Sequence, residues 1–231
     1  MQKRTTPPVS HILDGIKLAP PRLGKLKDLG SWVRDLGSES DSINLCFELR
    51  RRREEGFVLS EPFWAFERGW LADEQDHYHG FVRLLWLLFL IPPAIPTLML
   101  SRRRAEFTTL DWYLQDELRL LVFILVDEIA AYWAYSAYIA GFKQLGDKRF
   151  VEWIKAVAFD ELIHYQNALV VVQSVFRPRL KEVPAILNLV VDHYLRKEEY
   201  KNTFLGEGAG IDRSEANLRR AEIKIMRDLG L

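Results

Sequence analysis

The sequence predicts an all-α protein centred on a four-helix bundle, with a long connection between the second and third helices and additional helices at the C-terminal end. Apolar residues recur at helical spacing in four long segments, and no alternating run of Val, Ile and Thr is long enough for a sheet. The pattern Asp-Glu-x-x-His occurs at 73–77 and again at 160–164, once in each of two similar hairpins. A length of 231 residues with 48% hydrophobic content favours one domain.

Capping residues and helix breakers set the expected limits of the elements. Six helices are predicted, near 38–55, from Ser60-Glu61-Pro62 to about Ile91, from near Thr109 to Gly141, from Asp147 to before Pro178, and near 184–203 and 212–229. Residues 1–30 contain four prolines and are expected to form an irregular arm. The connection at 92–107 reaches about 53 Å when extended, which is enough for a crossover along the bundle.

Each Asp-Glu-x-x-His copy places a carboxylate and an imidazole on one helix face, because residues three apart on a helix are neighbours. The pairs are Glu74 with His77 and Glu161 with His164. Two helices that each give Glu-x-x-His, with two more that each give one Glu, form the ligand set of a carboxylate-bridged metal pair. Two complete copies are hard to obtain by chance, so we predict a dinuclear metal centre.

The other two carboxylates are expected one helix upstream of each copy. Glu128 lies 33 residues before Glu161 on an otherwise apolar face, where a lone acid is costly to bury unless something positive meets it. Glu39 lies 35 residues before Glu74, and projection at about 100° per residue brings it onto the apolar arc of the first helix.

The choice of acid on the first helix stays open at this point. Asp41 and then Glu48 are the alternatives, although both project onto the polar side, and the stretch 37–42 also has the composition of a helix N-terminus capped by Ser or Asp. Three histidines are left out of the site. His79 faces away from its neighbour His77 on a helix, and His11 and His193 have no partnered spacing.

Two segments resemble the soluble acyl-carrier-protein desaturases. The run Trp70–His77 looks like that family's Trp-Thr-Ala-Glu-Glu-x-x-His signature, and Ala158–His164 is similar to its Ala-x-Asp-Glu-x-x-His segment. The likeness covers about Glu39 to Val172, and its Glu-x-x-His pairs are shared by the wider ferritin-like group. It implies a ferritin-like bundle that holds two Fe ions and uses O2 as co-substrate. A manganese–iron pair is also compatible with these ligand types.

The predicted metal ligands are Glu39, Glu74, His77, Glu128, Glu161 and His164, with Glu74, Glu128 and Glu161 as the catalytic carboxylates. The resemblance implies that the Asp before each ligand Glu accepts the other ring N–H of a ligand histidine, Asp73 from His164 and Asp160 from His77. The alternative is that either Asp is simply an acid exposed on the surface of its helix. Trp70 shares the ligand face, where it either shields the metals, lies near an electron path, or simply packs in the core.

The resemblance implies an oxidase that removes hydrogen from an unactivated acyl chain, giving desaturation or hydroxylation. Its expected partners are an acyl-carrier protein or acyl-CoA substrate, a ferredoxin-like electron donor and a second copy in a homodimer. The clusters Arg50–Arg53 and Arg102–Arg104 are candidates for docking an acidic carrier, with solvated helix ends as the alternative. Two other functions stay open: a membrane-surface hydroxylase of a quinone or lipid, and a ferritin- or rubrerythrin-like protein for iron storage or peroxide scavenging.

Net charge, cysteine content and the distribution of apolar residues limit the partners and the cellular location that can be expected. A net charge of zero gives no global attraction for nucleic acid. Cys46 is the single cysteine, which excludes an intrachain disulfide, and no apolar secretory signal follows Met1, so a cytoplasmic location is expected. The apolar stretch Leu84–Leu100 has 17 residues and three prolines, which disfavours a membrane span. We expect this stretch to form, in decreasing order of preference, a subunit contact, the wall of an acyl tunnel or a peripheral membrane contact.

Overall fold

The computed structural model describes residues 8–17, 29–102, 105, 107–196 and 215–231. Within these residues every regular element is a helix, so the predicted all-α fold is confirmed. The α-helices are α1 (Leu29–Glu54), α2 (Glu61–Phe89), α3 (Ala94–Ser101), α4 (Asp111–Leu114), α5 (Glu117–Phe142), α6 (Lys148–Val175), α7 (Val183–Leu195) and α8 (Glu215–Leu229). Short 3-10 turns lie at Val9–Leu13, Thr108–Leu110, Lys143–Leu145 and Arg177–Glu182.

Helices α1, α2, α5 and α6 form the bundle. Helices α2 and α6 pack against each other and run antiparallel. Along α2 and α6, Asp73 contacts His164 and His77 contacts Asp160, so residue numbers rise on one helix as they fall on the other. The α1–α2 and α5–α6 pairs are hairpins closed by short turns. The two Asp-Glu-x-x-His copies therefore face each other across the α2–α6 contact.

Helices α2 and α5 run parallel, as a crossover topology requires. Ser60 caps the start of α2, and its hydroxyl donates to the carboxylate of Glu117, the first residue of α5, at 2.6 Å. Because both helices start at the same end, the chain between them returns along the bundle. The connection extends from Leu90 to Asp116 rather than over 92–107, because it contains α3, a 3-10 turn and α4.

Helix α1 begins at Leu29, not near residue 38 as the sequence predicted. The stretch 37–42, which resembles a helix N-terminus, lies inside the helix. Gly and Ser have low helix propensity, but Trp32 and Leu36 are 2% and 1% exposed, and their burial outweighs that propensity. The described part of α1 overlaps the predicted arm at 1–30 only at residues 29 and 30.

The other predicted boundaries differ less. Helix α5 starts at Glu117 rather than near Thr109, since Asp116 accepts from the backbone N–H of Arg119 and caps it there. Within the predicted arm, the turn Val9–Leu13 packs into the core, and residues 1–7 and 18–28 lie outside the described residues. The same holds for 197–203 and 212–214 of the two predicted C-terminal helices.

Helix α5 is the central element of the fold. Helix α7 is fixed to it by a hydrogen bond of 2.6 Å from Tyr194 to Asp127, and α8 packs on α5 and α6, where Tyr165 donates to Asp228 at 2.9 Å. The segment Glu117–Leu145 is long and apolar enough to cross a membrane by composition alone, but 72% of its most apolar window is buried inside the fold. That burial is typical of the core helix of a bundle.

Gly80 allows α2 to approach α6 closely. A Cβ added at Gly80 would lie 2.5 Å from Nε1 of Trp153, whose ring is fully buried edge-on to Phe81. We expect Gly80→Ala to lower the free energy of unfolding by about 1–3 kcal/mol, because overpacking forces a core side chain to move. Urea denaturation measures the change. Gly69→Ala on the same helix is the control, because nothing lies within 4 Å of its added Cβ. Equal stability of the two variants would contradict this packing.

Candidate metal centre

The six residues predicted as metal ligands meet in the middle of the bundle. Glu39 comes from α1, Glu74 and His77 from α2, Glu128 from α5, and Glu161 and His164 from α6. None is more than 3% exposed. The two imidazole rings lie 6.0 Å apart, centroid to centroid.

These side chains form two groups that could each hold a metal ion. One group is Glu39, Glu74, His77 and Glu161, and the other is Glu74, Glu128, Glu161 and His164. Within each group, one ligand atom per residue lies within 4.8 Å of all the others. Glu74 and Glu161 belong to both groups. The arrangement therefore suits two adjacent ions bridged by two carboxylates.

In both groups the Nδ1 atom of the histidine faces the carboxylates. His77 Nδ1 lies 3.4 Å from Glu39 Oε2 and 3.3 Å from Glu161 Oε1. His164 Nδ1 lies 3.2 Å from Glu128 Oε2 and 3.3 Å from Glu161 Oε2. The two oxygens of Glu161 thus face different histidines, as a bridging carboxylate would.

Two buried atoms of the cluster test whether it fits a metal. Glu39 Oε2 and His77 Nδ1 make no hydrogen bond within the described part of the chain, and an unsatisfied buried polar group costs about 1–3 kcal/mol. Two ligand atoms that each lie about 2.1 Å from one ion, at right or tetrahedral angles, are about 3.0–3.4 Å apart. The separation of 3.4 Å observed here agrees with that value. One ion between these atoms would satisfy both.

The outer nitrogen of each histidine points to an aspartate on the opposite helix. His77 Nε2 lies 3.3 Å from Asp160 Oδ2, and His164 Nε2 lies 3.2 Å from Asp73 Oδ2. When Nδ1 binds a metal, Nε2 carries the hydrogen and donates to the aspartate, which fixes the tautomer and the ring plane. Each aspartate lies opposite the histidine that the resemblance implied for it.

Without metal, the cluster retains protons. Burial, followed by the charges of Glu39 and Glu161, raises the pKa of Glu74 well above its usual range. Burial and Glu161 likewise raise the pKa of Glu128. Burial lowers the pKa of His77 and of His164, but the carboxylates around them outweigh it and raise both values.

Glu161 is the exception, since it lies between the two histidines. Burial raises its pKa, but the adjacent imidazoles of His164 and His77 outweigh that effect and hold the pKa of Glu161 well below its usual range. A metal ion must displace the protons held by the other ligands. Metal affinity is therefore expected to rise with pH.

The raised pKa values determine how the stability of the metal-free protein changes with pH. Groups whose folded pKa is raised stabilise the metal-free protein below their unfolded pKa, and this contribution is lost as pH rises through the folded pKa. We therefore expect the metal-free protein to lose thermal stability as pH rises above the usual carboxyl range, whereas the metal-loaded protein loses less. Scanning calorimetry at about pH 5.5, 7 and 8, with and without Fe(II), measures the difference in Tm. A difference that shrinks as pH rises would contradict the expectation.

Tyr135 belongs to the site, although it was not among the residues predicted for it. Its phenol donates a hydrogen bond to Glu39 Oε1. Burial, followed by the charges of Glu39 and Glu161, raises the pKa of Tyr135, so the phenol keeps its proton. Tyr135 could have been identified from the sequence, because a spacing of seven residues places it on the same helix face as Glu128.

We expect Tyr135→Phe to weaken metal binding at the Glu39 position, because a carboxylate that loses its hydrogen-bond donor is less well oriented. Loss of such an outer contact typically lowers metal affinity by about 10–100-fold. Titration with Fe(II) or Co(II), followed by absorbance, measures the affinity. Tyr132→Phe is the control, since Tyr132 lies on the same helix and packs against the apolar core. Equal affinities for the two variants would rule out an orienting role.

The structure separates the three acids considered on the first helix. Glu39 joins the cluster, whereas Asp41 and Glu48 belong to neither group of ligand atoms. Asp41 is fully buried, so its predicted position on the polar side is wrong. Glu48 accepts from Arg51, which lowers the pKa of Glu48 to about 2.

Other side chains near the cluster have structural partners. Trp70 is 1% exposed and stacks on Phe66 with ring centroids 5.6 Å apart, so it contributes to the core beside the site. Glu67, on the same face of α2, accepts two hydrogen bonds from Arg50 at 2.9 and 3.1 Å. Burial raises the pKa of the Cys46 thiol, which disfavours a nucleophilic role.

The first arginine cluster is largely neutralised by acids of the same chain. Arg50 pairs with Glu67, Arg51 with Glu48 and Glu55, and Arg52 with Glu48 and Asp111, while Arg53 lies 4.7 Å from the ring centroid of Trp64. This pairing weakens the argument that the cluster docks an acidic carrier. In the second cluster, residues 103 and 104 lie outside the described residues.

Comparisons of the chain with protein-family models, with curated proteins and with solved structures gave no match. The described residues form an all-α helical bundle with buried Glu/His groups that could hold metal ions.

Proposed function

We propose that this chain is an O2-dependent di-iron oxidase that acts on an unactivated acyl chain, by desaturation or hydroxylation. The observation that carries the proposal is the pair of buried ligand groups that share Glu74 and Glu161. A cluster built only to stabilise the fold would not need four carboxylates in an apolar core, because each buried charge is costly unless it is paired. Two bound cations would compensate that charge.

The ligand types favour iron. Carboxylates with one imidazole per ion suit both ferrous and ferric charge, and few protein ligands per ion leave positions open for O2. When bound, the iron pair supplies the oxidising power for attack on an unactivated C–H bond. A manganese–iron pair has the same ligand requirements, and elemental analysis of the purified protein distinguishes the two.

The chain's own residues would orient the ligands and exclude water. Asp73 and Asp160 hold the ring planes of the two histidines, and Tyr135 holds Glu39. Val157 and Ala158 precede Glu161 by about one helical turn on α6, and both are at most 3% exposed. Such surroundings exclude bulk water, which favours an apolar substrate over a charged one.

The partners in this proposal are a carrier-linked acyl substrate and a ferredoxin-like electron donor. Desaturation or hydroxylation with O2 consumes two electrons beyond those of the substrate C–H bonds, so a separate reductant is needed. Within the described residues the chain presents one cysteine, Cys46, and it is buried. An iron–sulfur donor held by cysteines would therefore be a different protein.

The test is a reaction with defined components. Protein loaded anaerobically with Fe(II) is mixed with O2, a ferredoxin and its reductase, and either an acyl-carrier-protein or an acyl-CoA substrate, and the acyl chain is analysed by mass spectrometry. We expect loss of two hydrogens or gain of one oxygen in step with O2 consumption. Iron oxidation that instead deposits a mineral core in a large shell, measured by light scattering, would replace the proposal with iron storage.

A further inference from the structure

Helix α3 and the turn before it expose an unusual number of apolar side chains. Leu90 is 60% exposed, Ile95 48%, Leu98 50% and Met99 53%. Helix α3 contains no charged residue, and Pro96 alone among its residues is buried. A contiguous apolar surface of this kind on a water-soluble fold marks an interaction site.

The backbone at the start of this segment is also unfavourable. Leu90 adopts a left-handed conformation with φ of 57°, which is uncommon for a bulky residue without special need. It ends α2 by donating its N–H back to the last turn, and Pro92 and Pro93 then direct the chain outward. The chain therefore combines local strain with apolar exposure at one place, a combination that points to function.

The stretch of sequence that contains this surface carries charge of one sign. Between His77 and Ala105 the sequence contains four arginines and no Asp or Glu. One of them, Arg102, directly follows α3 and is exposed. An apolar helix followed at once by an exposed arginine suits a membrane with anionic headgroups, where the apolar side chains enter the acyl region and Arg102 meets phosphate.

We propose that α3, together with Leu90, docks this protein on an anionic lipid bilayer. A second copy of the chain is a poorer occupant. Four side chains that are each about half exposed amount to a few hundred Å², whereas a stable dimer buries about 800 Å² on each partner. A bilayer needs no matching surface, so a small apolar projection with the adjacent Arg102 is sufficient.

The groove beside α3 continues this apolar surface into the bundle. It has a volume of about 490 Å3, and its lining includes Val33, Leu36, Leu85, Ile95 and Met99. Leu36 is three residues before Glu39, about 4.5 Å along the helix axis. Docking would therefore place the mouth of an apolar groove at the membrane surface. Its use as a route for a lipid acyl chain rests on the proposed function, whereas the docking does not.

Flotation of the full-length protein with lipid vesicles tests the docking. We expect the wild type to float with vesicles of phosphatidylcholine that contain phosphatidylglycerol as a minority lipid. Leu98→Ser combined with Met99→Ser should lower the bound fraction by about ten-fold or more, because two inserting side chains become polar. The control combines Val58→Ser with Ile223→Ser, which are 83% and 62% exposed away from α3. It should float like the wild type.

Three results would overturn the docking proposal. These are a wild type that stays with the soluble fraction, an α3 variant that floats like the wild type, and a wild-type dimer that the α3 variant converts to a monomer in light scattering. Iron content is measured on the same preparations. If no preparation binds iron, the proposed function is refuted while the flotation result is unaffected. Failure of the proposed function and failure of the docking proposal are therefore distinguishable.

Discussion

Replacement of Glu161 by Gln is expected to lower the metal content from two ions per chain to at most one. Each oxygen of Glu161 faces a different histidine, at 3.3 Å in both cases. A glutamine keeps one oxygen but presents an NH2 group to the second position, and this group cannot bind a metal ion. Affinity at that position should fall by more than about 100-fold, beyond the effect of losing an outer contact. Elemental analysis after gel filtration measures the stoichiometry.

A matched control separates this effect from misfolding. Glu152→Gln changes an acid that is about half exposed on the same helix, and it should retain two ions. The circular dichroism of Glu161→Gln should remain that of a folded helical protein, because the substitution preserves the size and shape of the side chain. Two ions bound by a folded Glu161→Gln protein would contradict the bridging role.

The second large effect is expected from Asp160→Asn. Asp160 accepts from His77 Nε2 and is 3% exposed, so solvent does not replace the lost carboxylate. An asparagine can still present an oxygen to Nε2, but it lacks the charge that makes His77 a stronger ligand. We expect metal affinity at the His77 position to fall by about 10–100-fold. Competition with a chelator of known affinity measures the change.

The equivalent change in the other half supplies the comparison. Asp73 contacts His164 in the same way, but its side chain is 22% exposed. Water can partly replace its carboxylate, so Asp73→Asn should weaken the His164 position by a smaller factor. A larger effect from Asp73→Asn than from Asp160→Asn would show that burial does not set the strength of these contacts.

Much of the candidate site could be predicted because its signals are local. Glu74 and His77 lie three residues apart on one helix, as do Glu161 and His164, and helical geometry alone brings each pair together. Glu39 and Glu128 were found from acids on apolar arcs, since an acid in that position needs a partner. The two helical hairpins then pack together with these ligand faces towards each other.

The features that sequence reasoning missed depend on tertiary contacts. Helix α1 extends back to Leu29 because Trp32 and Leu36 are buried against elements distant in the chain, which overrides the low propensity of Gly37 and Ser38. The hydrogen bond from Tyr135 to Glu39 joins residues that are 96 positions apart. The pairing of Arg50 with Glu67 likewise required the packed hairpin.

The most direct test of this account is a crystal structure of the iron-loaded protein with anomalous data collected at the iron edge. We expect two anomalous peaks inside the bundle, one bound by Glu39 and His77 and the other by Glu128 and His164, with Glu74 and Glu161 between them. A single peak, or a cluster free of metal in protein saturated with Fe(II), would contradict the dinuclear centre.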